Sequence, residues 1–178
     1  MSTARLSNAV EFFKTELRWI GVVYDAQGRL ARLSFFNERK LDAENAVKGF
    51  LTPRHSVFFD GSVVKDAVRR YSAGEDPRVD TITLSPCKSI FQERVRKSCR
   101  KIAYGCTATY GELARNANSP RAARAVGLCM KNNPIPIIVP CHRVLGAGNR
   151  LGGFSAGPGI SLKQQLLRME GVKRKFVN

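Results

Sequence analysis

A cysteine, a histidine and an arginine stand in sequence at Cys141, His142 and Arg143. A thiol with a histidine and a cation nearby can be held as the thiolate, which is the nucleophilic form of cysteine. Adjacent residues of a strand point to opposite faces, so contact between this thiol and this imidazole requires a turn or a bridging water. A buried cysteine is more often an inert small hydrophobe. The residue types therefore indicate a candidate nucleophile, and the spacing alone leaves the packing alternative open.

The segment that leads to this cysteine is apolar and interrupted by proline. Residues 135–139 read Ile-Pro-Ile-Ile-Val, and Pro140 follows. Because proline biases the residue before it toward extended backbone, the sequence predicts a buried, extended segment rather than a helix. This segment would carry Cys141 and His142 into the interior.

A basic helix is predicted at the start of the second half, after a boundary at Pro86. Its apolar face is formed by Ile90, Phe91, Val95, Cys99 and Ile102. Its other face is rich in lysine and arginine.

Two short helices with clear start signals follow, within residues 107–132. Thr109 and Glu112 form a capping box at the start of the first. Ser119 is predicted to cap the second, with Pro120 at its first helical position. Because the connection over 116–118 is short, the pair predicts a helix-turn-helix unit.

The second of these helices is unusually poor in side-chain bulk. Residues 121–130 contain three alanines and a glycine, and Arg121 and Arg124 project from them. Small residues would let the helix enter a DNA groove. An alanine-rich helix packed on its neighbour, with solvated arginines, is equally compatible with this composition.

The first half is typical of an α/β domain. Residues 18–24 and 30–36 are rich in β-forming residues and are separated by a turn signal at 25–28, which predicts a hairpin. A helix capped by Ser62 and a short strand over 81–84 follow. None of these elements carries a catalytic pattern.

The basic residues are concentrated in the second half of the chain. Thirty lysines and arginines against fourteen aspartates and glutamates give a net charge of +16. Residues 90–178 carry 16 basic and three acidic side chains, whereas residues 1–89 carry 14 and 11. Such a surface favours a polyanion, and nucleic acid is the first candidate because neutralised phosphates release counterions. The alternative is a generally basic surface without a specific partner.

Length, cysteine content and hydropathy exclude several classes of protein. A chain of 178 residues with 43% hydrophobic residues is typical of one or two small globular domains. Its five cysteines, an odd number without short spacing, favour reduced thiols in an intracellular compartment. With only His55 and His142 available no zinc spacing is recognisable, and His55 is interpreted as a surface-loop residue. No apolar run reaches the roughly 20 residues that span a bilayer, and the N-terminus is not typical of a signal peptide.

From about residue 89 to residue 171 the sequence resembles the O6-alkylguanine-DNA alkyltransferases, which repair alkylated guanine by suicidal methyl transfer. Five blocks carry the resemblance in the family's order and spacing: residues 109–114, 121–127, 133–136, 140–144 and 166–171. The resemblance implies a ribonuclease-H-like α/β domain over 1–86. It implies a mostly α-helical, winged-helix-like domain with the helix-turn-helix over 87–178.

The resemblance also implies catalytic roles. Cys141 would be the nucleophile and the permanent alkyl acceptor. His142 would take the thiol proton through a water, and Glu170 would orient His142. Asn133 would brace the turn around the cysteine. The four other cysteines are interpreted as structural: Cys87, Cys99, Cys106 and Cys129.

Further residues would bind the substrate base. Tyr110 would crowd the phosphate of the extruded nucleotide and donate to the base. Met130 and Phe154 would wall the pocket. The backbone carbonyls of Cys141 and Val144 would accept from the guanine amine, and the amide of Ser155 would donate to its oxygen.

The expected partner is double-stranded DNA with an alkylated guanine, bound through its minor groove by a monomer. Arg124 would fill the gap left by the flipped nucleotide, and the other expected DNA contacts are Tyr110, Ser119, Arg121 and Ala122. No cofactor and no metal are implied. The protein would act in the cytoplasm of a prokaryote or the nucleus of a eukaryote.

Two departures from the family pattern affect the substrate pocket. Phe154 stands where many members have tyrosine, which removes a ring hydroxyl but keeps the apolar wall. Ala156 stands where many have glycine, which leaves the acceptance of bulky alkyl groups open. Activity on O4-methylthymine is a further possibility that the sequence leaves open. The main alternative function is a non-catalytic alkyltransferase-like protein that binds lesions, although such proteins typically replace the nucleophile that this chain retains at Cys141. A helix-turn-helix transcription factor and a cysteine hydrolase are lesser alternatives.

Overall fold

The computed structural model describes residues 9–50 and 61–177 of the chain. By its internal contacts the chain divides into two units, residues 1–85 and 86–178. The first is built on a three-stranded antiparallel sheet and the second is mostly helical, so the protein is of the α/β type. Within the described ranges no helix combines the length and the apolar character needed to cross a bilayer.

The sheet of the first unit contains β1 (Ala9–Thr15), β2 (Arg18–Tyr24) and β3 (Leu30–Asn37), in that order and antiparallel. The hairpin predicted from residues 18–24 and 30–36 is confirmed. Its turn is closed by the Asp25 carboxylate, which accepts from the backbone amides of Gln27 and Arg29. Strand β1 was not expected from the sequence, because its apolar residues do not alternate with polar ones.

Two helices belong to this unit: α1 (Lys40–Val47), followed by a 3₁₀ turn (Lys48–Phe50), and α2 (Ser62–Ser72). Helix α1 packs against β2 and β3, where Gly21 permits its close approach. A Cβ at Gly21 would lie 3.1 Å from the Ala43 carbonyl oxygen and 2.9 Å from Ser34 Oγ, which leaves no room for a side chain. The buried face of α2 is formed by Val64, Ala67, Val68, Tyr71 and Ser72.

The predicted cap of α2 is wrong. Ser62 is the first residue of the helix, and the N-cap position is held by Gly61. A side chain at Gly61 would overlap the carboxylate of Glu11 from β1. A carboxylate at a helix N-terminus is electrostatically favourable, so the charge of Glu11 supports this end of α2. Glu11 Oε2 accepts no hydrogen bond from the described residues.

The strand predicted over 81–84 is reduced to an isolated bridge between Leu84 and Leu30. The backbone pairs there through only two hydrogen bonds, Leu30 N to Thr83 O and Ser85 N to Leu30 O. The next residue is Pro86, which has no amide proton to continue the ladder. His55 lies outside the described residues.

The second unit contains α3 (Ile90–Arg100), β4 (Ala108–Thr109), α4 (Tyr110–Asn116), α5 (Ala123–Lys131), β5 (Val144–Leu145) and α6 (Ile160–Met169). Strands β4 and β5 pair in parallel, with Ala108 opposite Val144. The predicted capping box is confirmed: Thr109 Oγ accepts from the Glu112 amide at 3.1 Å, and the Glu112 carboxylate accepts from the Thr109 amide at 2.6 Å. The pairing and the cap together place Tyr110, the first residue of α4, beside the chain that follows Cys141.

The apolar face predicted for α3 is confirmed at Val95 and Cys99, which are completely buried, and is wrong at Ile90. Ile90 is 75% exposed because it stands in the first turn, directly after the N-cap Ser89, where no other element covers it.

The predicted start of the next helix is also wrong. Helix α5 begins at Ala123, not at Pro120, and the connection from α4 runs over 117–122. Ser119 does not cap the helix, since its hydroxyl donates to the Ala117 carbonyl and its own carbonyl accepts from Ala122 in a turn. Asn118 has a φ of +57°, so the chain reverses before the helix can begin.

Residues 135–139 are buried as predicted but are not extended. The Ile138 amide donates to Pro136 O and the Val139 amide to Ile135 O, which gives consecutive turns, and Ile137 has a φ of +71°. Buried amides need partners, and here local carbonyls supply them instead of a neighbouring strand.

Candidate active site

The turns before Pro140 deliver Cys141 into a short 3₁₀ turn (Cys141–Arg143) in the interior. Cys141 is only 6% exposed. The side-chain amide of Asn133 donates to Cys141 Sγ at 3.1 Å and to the Val139 carbonyl at 2.8 Å, and its oxygen accepts from the Ile135 amide. Asn133 therefore shapes the turn and contacts the thiol at the same time.

The environment of Cys141 has opposing effects on its acidity. Burial raises the pKa of the thiol above its ordinary value. The hydrogen bond from Asn133, the charge of Lys163 and the backbone amides of Cys141 and His142 act in the opposite direction. The net pKa is raised, so the resting form is the thiol and a base must take its proton before it can act as a nucleophile.

The side chain next to the cysteine belongs to a buried ion-pair network. His142 Nε2 lies 2.6 Å from Glu170 Oε1, and Arg143 donates to both carboxylate oxygens of Glu170, at 2.8 and 3.1 Å. The Gly105 amide donates to Oε2 of the same carboxylate at 3.1 Å, and Arg143 also donates to the Ile102 carbonyl. The 3₁₀ turn makes this possible, because it brings His142 and Arg143 to one carboxylate.

The network determines which nitrogen of His142 carries a proton. Burial acts to raise the pKa of Glu170, but the hydrogen bonds and charges of His142 and Arg143 outweigh it and lower that pKa to about 2. An ionised carboxylate can only accept, so Nε2 of His142 carries its proton. Burial lowers the pKa of His142, which is therefore neutral near pH 7. Nδ1 is then the basic nitrogen.

Tyr110 stands at the edge of this site. A Cβ at Gly152 would lie 3.2 Å from the Tyr110 hydroxyl, and one at Gly127 of α5 would lie 3.9 Å from its ring. Gly152 also has a φ of +64°, which disfavours any side chain. Burial raises the pKa of Tyr110, so its phenol keeps its proton at neutral pH.

The residues expected to line a pocket are distributed over three elements. Met130 is buried in the last turn of α5, Val144 is buried in β5, and Phe154 is partly buried in the following loop. Ser155 is exposed, and its hydroxyl donates to the Lys131 carbonyl at 2.6 Å, which ties this loop to the end of α5.

The residues expected to contact DNA lie outside this hydrogen-bonded network. Arg121 and Arg124 are exposed, and Ser119 and Ala122 lie in the connection before α5. Leu128, one turn after Arg124, is 60% exposed and was not singled out from the sequence.

Sequence reasoning missed a second buried cation. Lys163 in α6 is completely buried and donates through Nζ to the carbonyls of Val144 and Leu151. Lys163 follows Leu162 and stands three residues before Leu166, which places it on the apolar face of α6. A lysine at an apolar position of a helix is the sequence pattern from which its burial could have been predicted. No cluster of three potential metal ligands occurs among the residues that the structure describes.

Fold and site together define a chain with a buried, hydrogen-bonded cysteine beside a histidine–glutamate pair and a two-helix unit. A family model described as the DNA-binding domain of 6-O-methylguanine DNA methyltransferase matches residues 90–172. The chain is 48% identical over 101 residues to the methylated-DNA–protein-cysteine methyltransferase of Methanosarcina acetivorans, a match that covers 57% of this chain and 63% of that protein. It is 44% identical over 118 residues to the protein of the same name from Mycobacterium leprae, which covers 66% of this chain and 68% of that protein. The first of these matches thus spans less than two thirds of the relative's length.

The similarity extends to solved structures over almost the whole chain. A crystal structure of Mycobacterium tuberculosis OGT in complex with DNA superposes with a TM-score of 0.67 at 35% identity, covering 90% of this chain and 91% of that one. The chain therefore belongs to the methylated-DNA–protein-cysteine methyltransferase family.

Proposed function

We propose that this protein repairs DNA by moving the alkyl group of O6-alkylguanine irreversibly to its own Cys141, in a single turnover. O6-methylguanine is the main substrate. The observation that carries the proposal is the arrangement around the thiol: Asn133 donates to the sulfur, and the neighbouring His142 is neutral, basic at Nδ1 and oriented by Glu170.

The proton of the thiol goes to His142. In the proposed mechanism a water bridges Cys141 Sγ and Nδ1 of His142, and the thiolate forms as the proton moves. The resulting imidazolium is stabilised by Glu170, whose carboxylate stays ionised because the pKa of Glu170 is about 2.

Alkyl transfer then proceeds as an in-line displacement. The sulfur–carbon bond forms while the bond from that carbon to O6 breaks, and the electron pair of the broken bond stays on the base. Tyr110, whose phenol is protonated at neutral pH because burial raises its pKa, gives this proton to the base and neutralises it. The Tyr110 phenolate and the His142 imidazolium that remain return to their neutral forms by proton exchange with solvent water. The products are a thioether and a neutral guanine, and a thioether offers no route back to the free thiol.

The base must leave the duplex to reach a buried thiol. Extrusion costs a few kcal/mol, and it is cheapest for a base that pairs poorly, as an O6-alkylated guanine does. Arg124, exposed on α5, fills the gap, while Tyr110, Ser119, Arg121 and Ala122 contact the backbone around it. Met130, Phe154, the Val144 carbonyl and the Ser155 amide hold the extruded base.

DNA binding follows from the charge of residues 90–178. Phosphate contacts give salt-dependent affinity with little sequence preference, and minor-groove entry by α5 carries little base information. We assign residues 1–86 to a ribonuclease-H-like domain and residues 87–178 to a winged-helix-like domain that binds DNA and accepts the alkyl group. The protein acts as a monomer, in the compartment that holds the DNA.

A single-turnover experiment tests the proposal. Protein is mixed with an equimolar duplex that contains one O6-methylguanine, digested, and the peptide that bears Cys141 is weighed. We expect a gain of one methylene on that peptide alone. The Cys141→Ser variant should show no gain, whereas Cys106→Ser, which removes an exposed thiol, should react like the natural protein.

Other outcomes identify the alternatives. Tight binding to the lesion without a change in mass would mean a non-catalytic lesion-binding protein. Repeated demethylation by protein of unchanged mass would mean a hydrolase.

A further inference from the structure

A short loop, residues 102–105, follows α3 and contacts the end of α6. The Ala103 carbonyl accepts from the Cys106 amide at 3.0 Å, which closes a turn with Tyr104 and Gly105 at its centre. Gly105 has a φ of +73°, the left-handed conformation that the third residue of a type II turn requires. The glycine therefore lets the chain reverse at this point.

The 102–105 loop contacts Glu170 through its side chain and through the backbone beside it. The Gly105 amide donates to Glu170 Oε2 at 3.1 Å, and the Tyr104 hydroxyl donates to the carbonyl of the preceding residue, Met169, at 3.3 Å. A Cβ at Gly105 would lie 2.9 Å from the Glu170 carbonyl oxygen, which leaves no room for a side chain. Only glycine therefore lets the donor amide lie this close to Glu170.

The same loop contacts Arg143, the cation that pairs with Glu170. The Ile102 carbonyl accepts from Nη1 of Arg143 at 2.7 Å, and the guanidinium carbon lies 5.6 Å from the centre of the Tyr104 ring. A cation at this distance from an aromatic ring is attracted to it. The 102–105 loop thus holds both partners of the buried ion pair.

The Gly105 amide completes the hydrogen bonds to the Glu170 carboxylate. Oε1 lies 2.6 Å from His142 Nε2 and accepts from Arg143 Nη2 at 3.1 Å. Oε2 accepts from Arg143 Nε at 2.8 Å and from the Gly105 amide. Each oxygen thereby has two donors among these groups, which matches its two lone pairs. His142 and Arg143 belong to the same 3₁₀ turn, so Gly105 is the donor that reaches the carboxylate from a separate segment of the chain.

We propose that Tyr104 and Gly105 are positioning residues for proton acceptance by His142, because they hold the Glu170 carboxylate in the direction that keeps Oε1 on the imidazole. This inference rests on the proposed function for its role in repair, but not for its effect on the hydrogen bond. No proton passes through either residue, since the thiol proton goes to His142. A catalytic pair must be held to within about 0.5 Å, and hydrogen bonds from the surrounding residues supply that precision.

The test compares two glycines that share a left-handed backbone. Gly105→Ala places a methyl group against the Glu170 carbonyl oxygen, whereas at Gly74, with a φ of +80°, an added Cβ meets no other group of the described residues within 4 Å. Gly74→Ala therefore introduces the same backbone strain without the contact, which makes it the matched control.

Two quantities are measured for each variant. The first is the single-turnover rate of transfer from a methylated duplex. The second is the NMR signal of the His142 Nε2 proton in protein labelled with 15N-histidine, since a proton in a short bond to a carboxylate resonates far downfield. The chain has only one other histidine, His55, so the signal can be assigned by its loss in Glu170→Gln.

We expect Gly105→Ala to transfer the methyl group about tenfold more slowly than the natural protein, because the carboxylate is displaced. Its His142 signal should move upfield and exchange faster with water, and Gly74→Ala should change neither quantity. In a Glu170→Gln background, Gly105→Ala should slow transfer no further, since the pair is already broken. A natural rate and signal in folded Gly105→Ala, or a full additional loss in the double variant, would overturn the proposal.

Tyr104 covers the case in which Gly105→Ala fails to fold. Tyr104→Leu removes both the bond to Met169 and the ring over Arg143, so it should displace the His142 signal and slow transfer. Tyr104→Phe keeps the ring and should restore most of both. A natural His142 signal in Tyr104→Leu would refute the proposal. The signal also separates this inference from the proposed function: an altered signal in the variants of a protein that transfers no methyl group would refute only the latter.

Discussion

His142 Nε2 lies 2.6 Å from Glu170 Oε1, and both side chains are fully withdrawn from solvent. The same carboxylate receives two hydrogen bonds from Arg143, so one buried anion orients the imidazole and neutralises the guanidinium. The orientation of His142 and the neutralisation of Arg143 therefore depend on a single side chain at the end of α6.

Replacing this carboxylate should reduce stability and activity together. In Glu170→Gln the buried Arg143 loses its counter-ion, for which we expect a loss of about 3 kcal/mol in the free energy of unfolding. The amide cannot stabilise a protonated His142, so the single-turnover rate should fall on the order of 100-fold. Urea unfolding and quenched-flow transfer measure the two effects. Glu93→Gln, at a surface ion pair with Arg96, is the matched control and should change stability by less than about 1 kcal/mol.

The same carboxylate predicts a specific loss of stability in acid. The pKa of Glu170 is about 2 in the folded protein against an ordinary value of 4.5. The folded state therefore binds fewer protons than the unfolded state between these values, and its stability falls as the pH drops from about 4.5 to about 2. The loss should reach about 3 kcal/mol, at 1.36 kcal/mol per pKa unit. Unfolding curves of the natural protein and of Glu170→Gln should converge toward the low end of this window, and parallel curves would contradict the assignment.

Asn133 offers a test of the hydrogen bond to sulfur. Asn133→Asp retains the shape of the side chain but places a carboxylate where an amide donates to Cys141. A negative charge there opposes the thiolate, so we expect the transfer rate at pH 7 to fall at least about tenfold. The rate at which iodoacetamide alkylates Cys141, measured as a function of pH, should reach its midpoint at higher pH. The neighbouring exposed Asn132→Asp introduces the same charge as a control. If both substitutions slowed the reaction equally, the effect would be one of net charge rather than of this hydrogen bond.

Replacing Arg124 should slow methyl transfer from duplex DNA without changing the reactivity of the Cys141 thiol. Without a side chain to fill the gap in the duplex, Arg124→Ala should transfer methyl from duplex DNA at least about tenfold more slowly, since extrusion costs a few kcal/mol. The reaction of Cys141 with iodoacetamide should be unchanged, because Arg124 is exposed and makes none of the hydrogen bonds around the thiol. Arg94→Ala, an exposed arginine of α3, is the control for loss of charge. A matching loss of iodoacetamide reactivity in Arg124→Ala would show damage to the fold instead.

Local sequence patterns were sufficient for elements stabilised by their own residues. The β2–β3 hairpin and the capping box of Thr109 and Glu112 were predictable because their hydrogen bonds join residues close in sequence. Patterns failed where a distant residue decided the outcome. The carboxylate of Glu11 from β1 lies at the start of α2, where Gly61 and not Ser62 holds the N-cap position, and residues 81–84 form only one bridge.

The candidate site divides in the same way. The residue types alone predicted Cys141 and His142 as candidates, and the resemblance carried by the five sequence blocks added Glu170. The structure joins His142 and Glu170 by a hydrogen bond. Only the tertiary structure decided that residues 135–139 turn rather than extend, which brings Asn133 onto the sulfur. Only the tertiary structure buried Lys163 against the carbonyls of Val144 and Leu151. A charge acquires its strength from the solvent it loses and the groups it faces, and both are properties of packing between segments far apart in the chain.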